Sequence, residues 1–157
     1  MSNRKKVYLT PEGREELREE LAELVEVKRP ALAERLRKAI AQGDLSENAD
    51  YKAAKEEQAF LEGRIQDIEV LLRQAEIIDE TRSSGEVSLG SRVTVVEEGE
   101  RRPETFRIVG TVEADPINGK VSHESPLGAA LLGRQVGDVV TIEAPSGEIA
   151  FRIAEIE

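Results

Sequence analysis

Apolar residues recur along the first half of the chain at helical spacing. Leu17, Leu21 and Leu24 lie four and then three apart, and the stripe resumes one residue out of step at Val25, Leu32, Leu36 and Ala39. Pro30 falls inside this run, so the pattern predicts a kink or a slipped register near residues 25 to 30 rather than a helix end. Thr10 is placed to cap the start, Pro11 suits the first helical position, and Glu12, Glu15 and Glu16 suit the positive end of the helix dipole. A second run is more regular. Tyr51, Ala54, Gln58, Leu61, Ile65, Ile68, Leu72 and Ala75 alternate spacings of three and four, which is a heptad seam. Only "QGDLS" separates the two runs, with Gly43 suited to end the first helix and Ser46 or Asp44 to cap the second. So short a connection predicts antiparallel neighbours, a coiled-coil hairpin with about 30 residues per arm and a length of roughly 45 Å.

Residues 79–90, "DETRSSGEVSLG", are small and polar with two glycines and read as a linker. Beyond them the period changes. "SRVTVVEEG", "ETFRIVGTVEAD", "DVVTIEA" and "GEIAFRIAEIE" are short β-branched runs, the last two joined by a turn at Pro145, Ser146 and Gly147. "SPLGAALLGR" reads as one short helix with Ser125 as its cap, Pro126 at its first position and Gly133 near its end. The predicted fold is thus an N-terminal antiparallel coiled-coil hairpin over 1–78, with an acidic bend at 43–50, a linker over 79–90, and a small α+β domain over 91–157 with an antiparallel sheet packed on one helix.

Charge narrows the possible partners. The 157-residue chain has 22 basic and 32 acidic residues, net −10, so its general field opposes duplex nucleic acid, and any such role must be local or act through a protein partner. It contains no cysteine, which removes disulfides and thiolate metal sites. No apolar run approaches a membrane span, and "MSNRKKVYLT" lacks the apolar core of a signal peptide, so a cytoplasmic protein is expected.

The candidate chemistry lies in "GDLSENADY", where Asp44, Glu47 and Asp50 crowd like charges at the bend. One reading is a solvated helical turn, since acids are favoured at helix starts. The other is that Asp44 and Glu47 project to a hard cation. Mg²⁺ takes one or two protein carboxylates and fills its shell with water and phosphate oxygens, so two exposed acids supply part of a shell that another molecule completes.

"YLTPEG", "GDLSENADYKAAKEEQAFLEGRI", "IIDE" and "EADPINGKVSHESPLGAALLGRQVGD" together resemble the Gre family of bacterial transcript-cleavage factors, from about Val7 to the C-terminus. The resemblance implies a coiled-coil N-terminal domain and an FKBP-like C-terminal domain. It implies that the globular part docks at the mouth of the secondary channel of bacterial RNA polymerase while the coiled coil reaches towards the active centre. There the tip carboxylates would help to hold a Mg²⁺ shared with polymerase, and the backtracked RNA 3′ end would be hydrolysed. By position the catalytic and metal-holding pair falls on Asp44 and Glu47, with Asp50 supporting. Contacts to the extruded RNA fall on Lys55 and Lys52; Ile40 occupies a position that is often Arg, and Lys38 and Lys52 are candidates to take its place. Glu124, Ser125 and Pro126 match the loop that contacts polymerase, although Ser125 and Pro126 serve equally as a helix start. The expected molecule is a monomeric accessory factor with no activity alone, away from membranes.

Other residues have plainer readings. Leu127, Leu131 and Leu132 read as core, Tyr51 and Phe60 as seam residues rather than stacking platforms, and His123 as an exposed residue without a catalytic role. Three competing functions differ in class. A channel-binding inhibitor would carry an altered tip, whereas "DLSEN" has the spacing of the cleaving type. An FKBP-like isomerase or chaperone needs an aromatic pocket, and the C-terminal half has only Phe106 and Phe151. A free-standing nuclease needs more than two exposed carboxylates.

Overall fold

The computed structural model describes residues 6–44, 47–79 and 85–157. Helix α1 (Pro11–Glu23) opens on Thr10, whose Oγ1 accepts the Gly13 amide at 3.0 Å. Leu24–Lys28 then form a π-helical turn in which the Arg29 amide reaches back to the Leu24 carbonyl, and α2 (Arg29–Ala41) continues with Pro30 in its first turn. This is the slipped register that the sequence predicts. Leu24 and Leu32 are both buried yet stand eight positions apart, one more than a heptad. A π turn takes up one extra residue and keeps both on one face. It also suits Pro30, which has no amide to give to the Glu26 carbonyl and would crowd it in a regular turn.

Helix α3 (Ala49–Gln74) carries the expected seam, with Ala54, Ile65 and Ile68 buried. Leu24 packs with Ile65 and Ile68, flanked by Leu17, Leu21 and Leu72, and Leu32 and Leu36 pack with Ala54 and Tyr51. Burial of each large side chain contributes about 1.5–3 kcal/mol. Beside this seam Glu20 pairs with Arg64 at 2.6 Å, Arg29 with Glu62 at 2.7 Å and Arg35 with Glu57 at 2.6 Å, so partners descend along α3 as they ascend along the first stretch. Phe60 departs from the expected seam and is 81% exposed. A helix turns about 100° per residue, so packing Leu61 inward rotates Phe60 outward. Among the described residues no helix is long and apolar enough to cross a membrane.

The chain divides into two compact units, Arg14–Gln74 and a second that joins the segment up to Gly13 to Ala75–Glu157. These compact units assign the segment up to Gly13 and residues 75–78 to the sheet-bearing unit, whereas the expected helical domain ran over 1–78. The physical reason is pairing: β1 (Tyr8–Leu9) runs parallel to β2 (Glu76–Ile77), and Leu9 is fully buried. The second unit holds a five-stranded sheet of β3 (Arg92–Glu97), β4 (Pro103–Val109), β5 (Lys120–Ser122), β6 (Val139–Ala144) and β7 (Gly147–Ile156), in the order β5-β4-β3-β7-β6. β6 and β7 form the expected hairpin, with Ala144 opposite Gly147 and a φ of 120° at Gly147. The sheet is mixed rather than antiparallel throughout, because β5 runs parallel to β4. Two 3₁₀ turns, Thr111–Glu113 and Pro116–Asn118, carry the chain back so that β5 starts in the same direction.

Helix α4 (Pro126–Leu131) covers the sheet, with Leu131 fully buried among Val93, Val95, Ile108, Val140 and Ile153. Val87 belongs to the same core and exchanges backbone hydrogen bonds with Gly133 and Arg134 at 2.8 Å each. The expected linker over 79–90 is corrected accordingly, since its last residues are held by the domain. His123 is half-buried rather than exposed, its ring edge-on to Tyr8 at 5.5 Å.

One contact fastens the start of α1 to this unit. Glu113 Oε2 accepts the Thr10 amide and Oε1 accepts the Thr10 hydroxyl, both at 2.6 Å. In a capping box the acid that binds the cap amide sits three positions along the helix. Here that position is Gly13, and a Cβ on it would overlap the Glu113 carboxylate. Glu113 thus supplies from 103 positions away the acid that the local sequence omits. Nearby, Arg107 Nη2 donates to Glu12 at 3.0 Å and holds the Glu12 carboxyl below its usual range.

Glu113→Ala is expected to lower the unfolding free energy by roughly 1–3 kcal/mol, the range for leaving such donors unpaired, read from denaturant midpoints. Gly13→Ala should also destabilise, and the double variant should cost less than the two single changes added, because both act on one site. A second expectation concerns acid. The hydrogen bond from Arg64 holds the Glu20 carboxyl below its ordinary value of 4.5. A depressed folded value gives stability that is present above the unfolded value and lost as pH falls through the folded one. Thermal melts of Glu20→Gln should therefore show less loss between neutral pH and pH values under 4.5 than the parent, and added salt should shrink the difference.

Candidate functional site

The bend between α2 and α3 is built around both helix ends. Gly43, with a φ of 112°, ends α2, and its amide returns to the Ile40 carbonyl at 3.3 Å. The start of α3 is capped by Asn48, whose Oδ1 accepts the Tyr51 amide at 3.1 Å while its Nδ2 donates to the Ala39 carbonyl at 2.7 Å. The expectation of Asp44 as that cap is corrected by this geometry. Ser46, the other expected cap, lies outside the described residues. Asparagine is among the strongest cap formers, and its place just before Ala49 was the available signal.

Asp44, Glu47 and Asp50 are all exposed, and with Gln42, Asn48 and Ala49 they border one open depression of about 380 Å³. The three acids named from the sequence are thus brought to one face of the bend. Their oxygens are the donor type that Mg²⁺ prefers. Among the described residues no group of three or more His, Asp or Glu stands close enough to hold a metal ion. The donor set fits a partial, water-filled shell and not a closed cage.

Lys52 and Lys55 are exposed on the first turns of α3. Lys55 Nζ lies 5.9 Å from the Tyr51 ring centroid and donates to Gln58 Oε1 at 3.2 Å. Ile40 is 53% exposed near the end of α2. In the other unit Ser125 caps α4, its Oγ accepting the Gly128 amide at 3.0 Å and donating to the Ser122 carbonyl at 2.7 Å. Glu124 is exposed, accepts from Thr111 Oγ1 at 3.2 Å, and its amide donates to Ser122 Oγ at 3.0 Å. Pro126 is the exposed first residue of the helix. The loop is therefore fixed in shape by hydrogen bonds and presents Glu124 and Pro126 outward.

Sequence comparison assigns each half separately. Residues 7–77 match the family described as transcription elongation factor, N-terminal, and residues 82–157 match the family described as transcription elongation factor, GreA/GreB, C-term. Together these define the class as transcription elongation factors. The transcription elongation factor GreA of Geobacillus kaustophilus is 48% identical over all of both chains. That of Thermoanaerobacter pseudethanolicus is 50% identical over 97% of this chain and 98% of its own. Among solved structures, that of GreA factor homolog 1 of Thermus thermophilus is 33% identical over 98% of this chain and 99% of its own, at a TM-score of 0.45. The chain belongs to the GreA/GreB family of transcription elongation factors.

Asn48→Ala removes the hydrogen bonds at both helix ends and is expected to destabilise the helical unit by about 1 kcal/mol, measured by circular dichroism during thermal unfolding. Asn48→Asp keeps the acceptor for Tyr51 and loses the donor to Ala39, so an intermediate midpoint is expected.

Proposed function

We propose that this protein enters the secondary channel of bacterial RNA polymerase and stimulates the polymerase's own hydrolysis of backtracked RNA 3′ ends, restarting arrested complexes. The observation that carries this reading is the placement of Asp44 and Glu47 around one depression at the bend, in a chain whose two halves both match transcription elongation factors. On this reading the helical unit is an antiparallel coiled-coil hairpin that delivers the bend, and the sheet unit is an FKBP-like domain that docks outside. The domain's five strands over a single short helix support that comparison without implying isomerase activity.

Asp44 and Glu47 would hold Mg²⁺ jointly with polymerase. The ion, when bound, supplies Lewis-acid polarisation and a more acidic water. The chain contributes hard oxygen donors and charge, which act more strongly in a confined channel than in bulk water. Asp50, in the first turn of α3, adds negative charge beside the pair. Lys52 and Lys55 offer cations to the phosphates of the extruded strand. Glu124 and Pro126, presented by the Ser125-capped loop, would contact polymerase. The protein acts in this scheme as an accessory factor, with polymerase supplying the rest of the active centre.

The test is a cleavage assay on stalled, backtracked polymerase. Asp44→Asn and Glu47→Gln should each reduce stimulated cleavage by roughly 100-fold or more, on the order of losing a charge-stabilising group, while competing for polymerase almost as well as the parent. Replacing Glu124 or Pro126 should weaken competition, with cleavage recovered at excess factor. Normal cleavage by both tip variants would overturn the assignment, and a parent chain that binds yet suppresses cleavage would make it a channel-binding inhibitor.

A further inference from the structure

The helical unit has a second feature that the acidic bend does not use. A groove of about 450 Å³ opens beside the π-helical turn, with Leu24, Leu32 and Leu61 at its floor and Phe60 on its edge. Phe60 is 81% exposed, the largest apolar side chain left in solvent by this unit. A π turn inside a helix often marks a functional position. Here Leu24 and Lys28, the two ends of that turn, both line the groove.

Charge selects the occupant. The lining contains three cations, Lys28, Arg35 and Arg64, against one acid, Glu57, in a chain whose net charge is −10. Arg35 and Arg64 are engaged by Glu57 and Glu20, whereas Lys28 has no ion pair among the described residues. A second copy of this chain would bring another Lys28 to the interface, and the groove's own acid, Glu57, is already taken by Arg35, which disfavours a symmetric dimer. A concave aliphatic floor suits an inserted side chain, while a stacked base needs only the flat ring face.

We propose that this groove docks a segment of the polymerase channel wall that inserts an apolar side chain beside Phe60 and sets a carboxylate against Lys28. The assignment rests on the channel-entering role above and names a second contact within it. Phe60 acts as the apolar anchor and Lys28 as the charge that fixes orientation, and neither takes part in hydrolysis.

The test is competition between labelled parent and unlabelled full-length variants for polymerase, with melting temperature as a folding control. Phe60→Ala should melt as the parent does, because the side chain is exposed, and bind polymerase about tenfold more weakly, the usual loss for a buried anchor. Phe60→Leu should retain binding to within about threefold, Lys28→Glu should weaken it, and saturating amounts of each should restore full cleavage. Unchanged competition by Phe60→Ala would overturn the proposal. So would a pattern in which Phe60→Tyr retains binding, Phe60→Leu loses it and cross-linking to the RNA 3′ end falls in parallel, since that describes base stacking. A parent chain that competes through Phe60 but stimulates no cleavage would sustain this contact and sink the cleavage role. A parent that does not bind polymerase would overturn both.

Discussion

The acidic bend depends on the Asn48 side chain satisfying two helix ends at once. Its Nδ2 reaches the Ala39 carbonyl, one of the acceptors that α2 leaves open, and its Oδ1 takes the Tyr51 amide, one of the donors that α3 leaves open. A bend closed by a neutral amide does not require a carboxylate as its cap. Glu47 stands exposed immediately before this cap.

The seam imposes a comparable economy on the arms. A heptad pattern tolerates no extra residue without turning its apolar face away. The first arm contains one, between Leu24 and Leu32, and absorbs it in a π-helical turn next to Pro30. The disturbance is confined to Leu24–Lys28, and the seam resumes with Leu32, Leu36 and Ala39 buried. The flanking Arg–Glu pairs are about half exposed, so solvent screens them and the apolar seam holds the unit together. In this alignment Arg29, Arg35 and Arg64 each meet a carboxylate of the other arm.

Features that depend on near neighbours are legible in the sequence. The Thr10 and Ser125 caps, the Gly43 stop, the slipped register at Pro30 and the turn before Gly147 all follow from residues within one or two turns of each other. Features that depend on distant partners are not. β1, β2 and β5 have two or three residues each, too few for a period, and their pairing is decided by what lies alongside. Val87 reads as linker because its neighbours are polar, yet it is buried by α4 and the sheet. Nothing near Thr10 names Glu113 as its partner, although Gly13 at the expected acid position is a hint. At the site, the spacing of Asp44, Glu47 and Asp50 is readable, while Ser46 and Asp44 draw attention away from Asn48 as the cap. Phe60 reads as a seam residue because it adjoins Leu61, and one residue of helical rotation separates the two fates.

The openness of the acidic depression follows from electrostatics. Two unit charges about 4 Å apart repel by ~1 kcal/mol in water and several times more in a less polar setting. A closed cage of carboxylates would carry that larger cost whenever the protein was alone. Asp44, Glu47 and Asp50 instead stand in solvent, where their repulsion is screened and their hold on any cation is weak. Such an arrangement, on the proposed reading, becomes effective inside a partner that excludes water and brings its own ligands. On the proposed reading, the weakness of the isolated site confines its chemistry to the occupied channel: hydrolysis requires a second molecule because neither donor set is complete without the other.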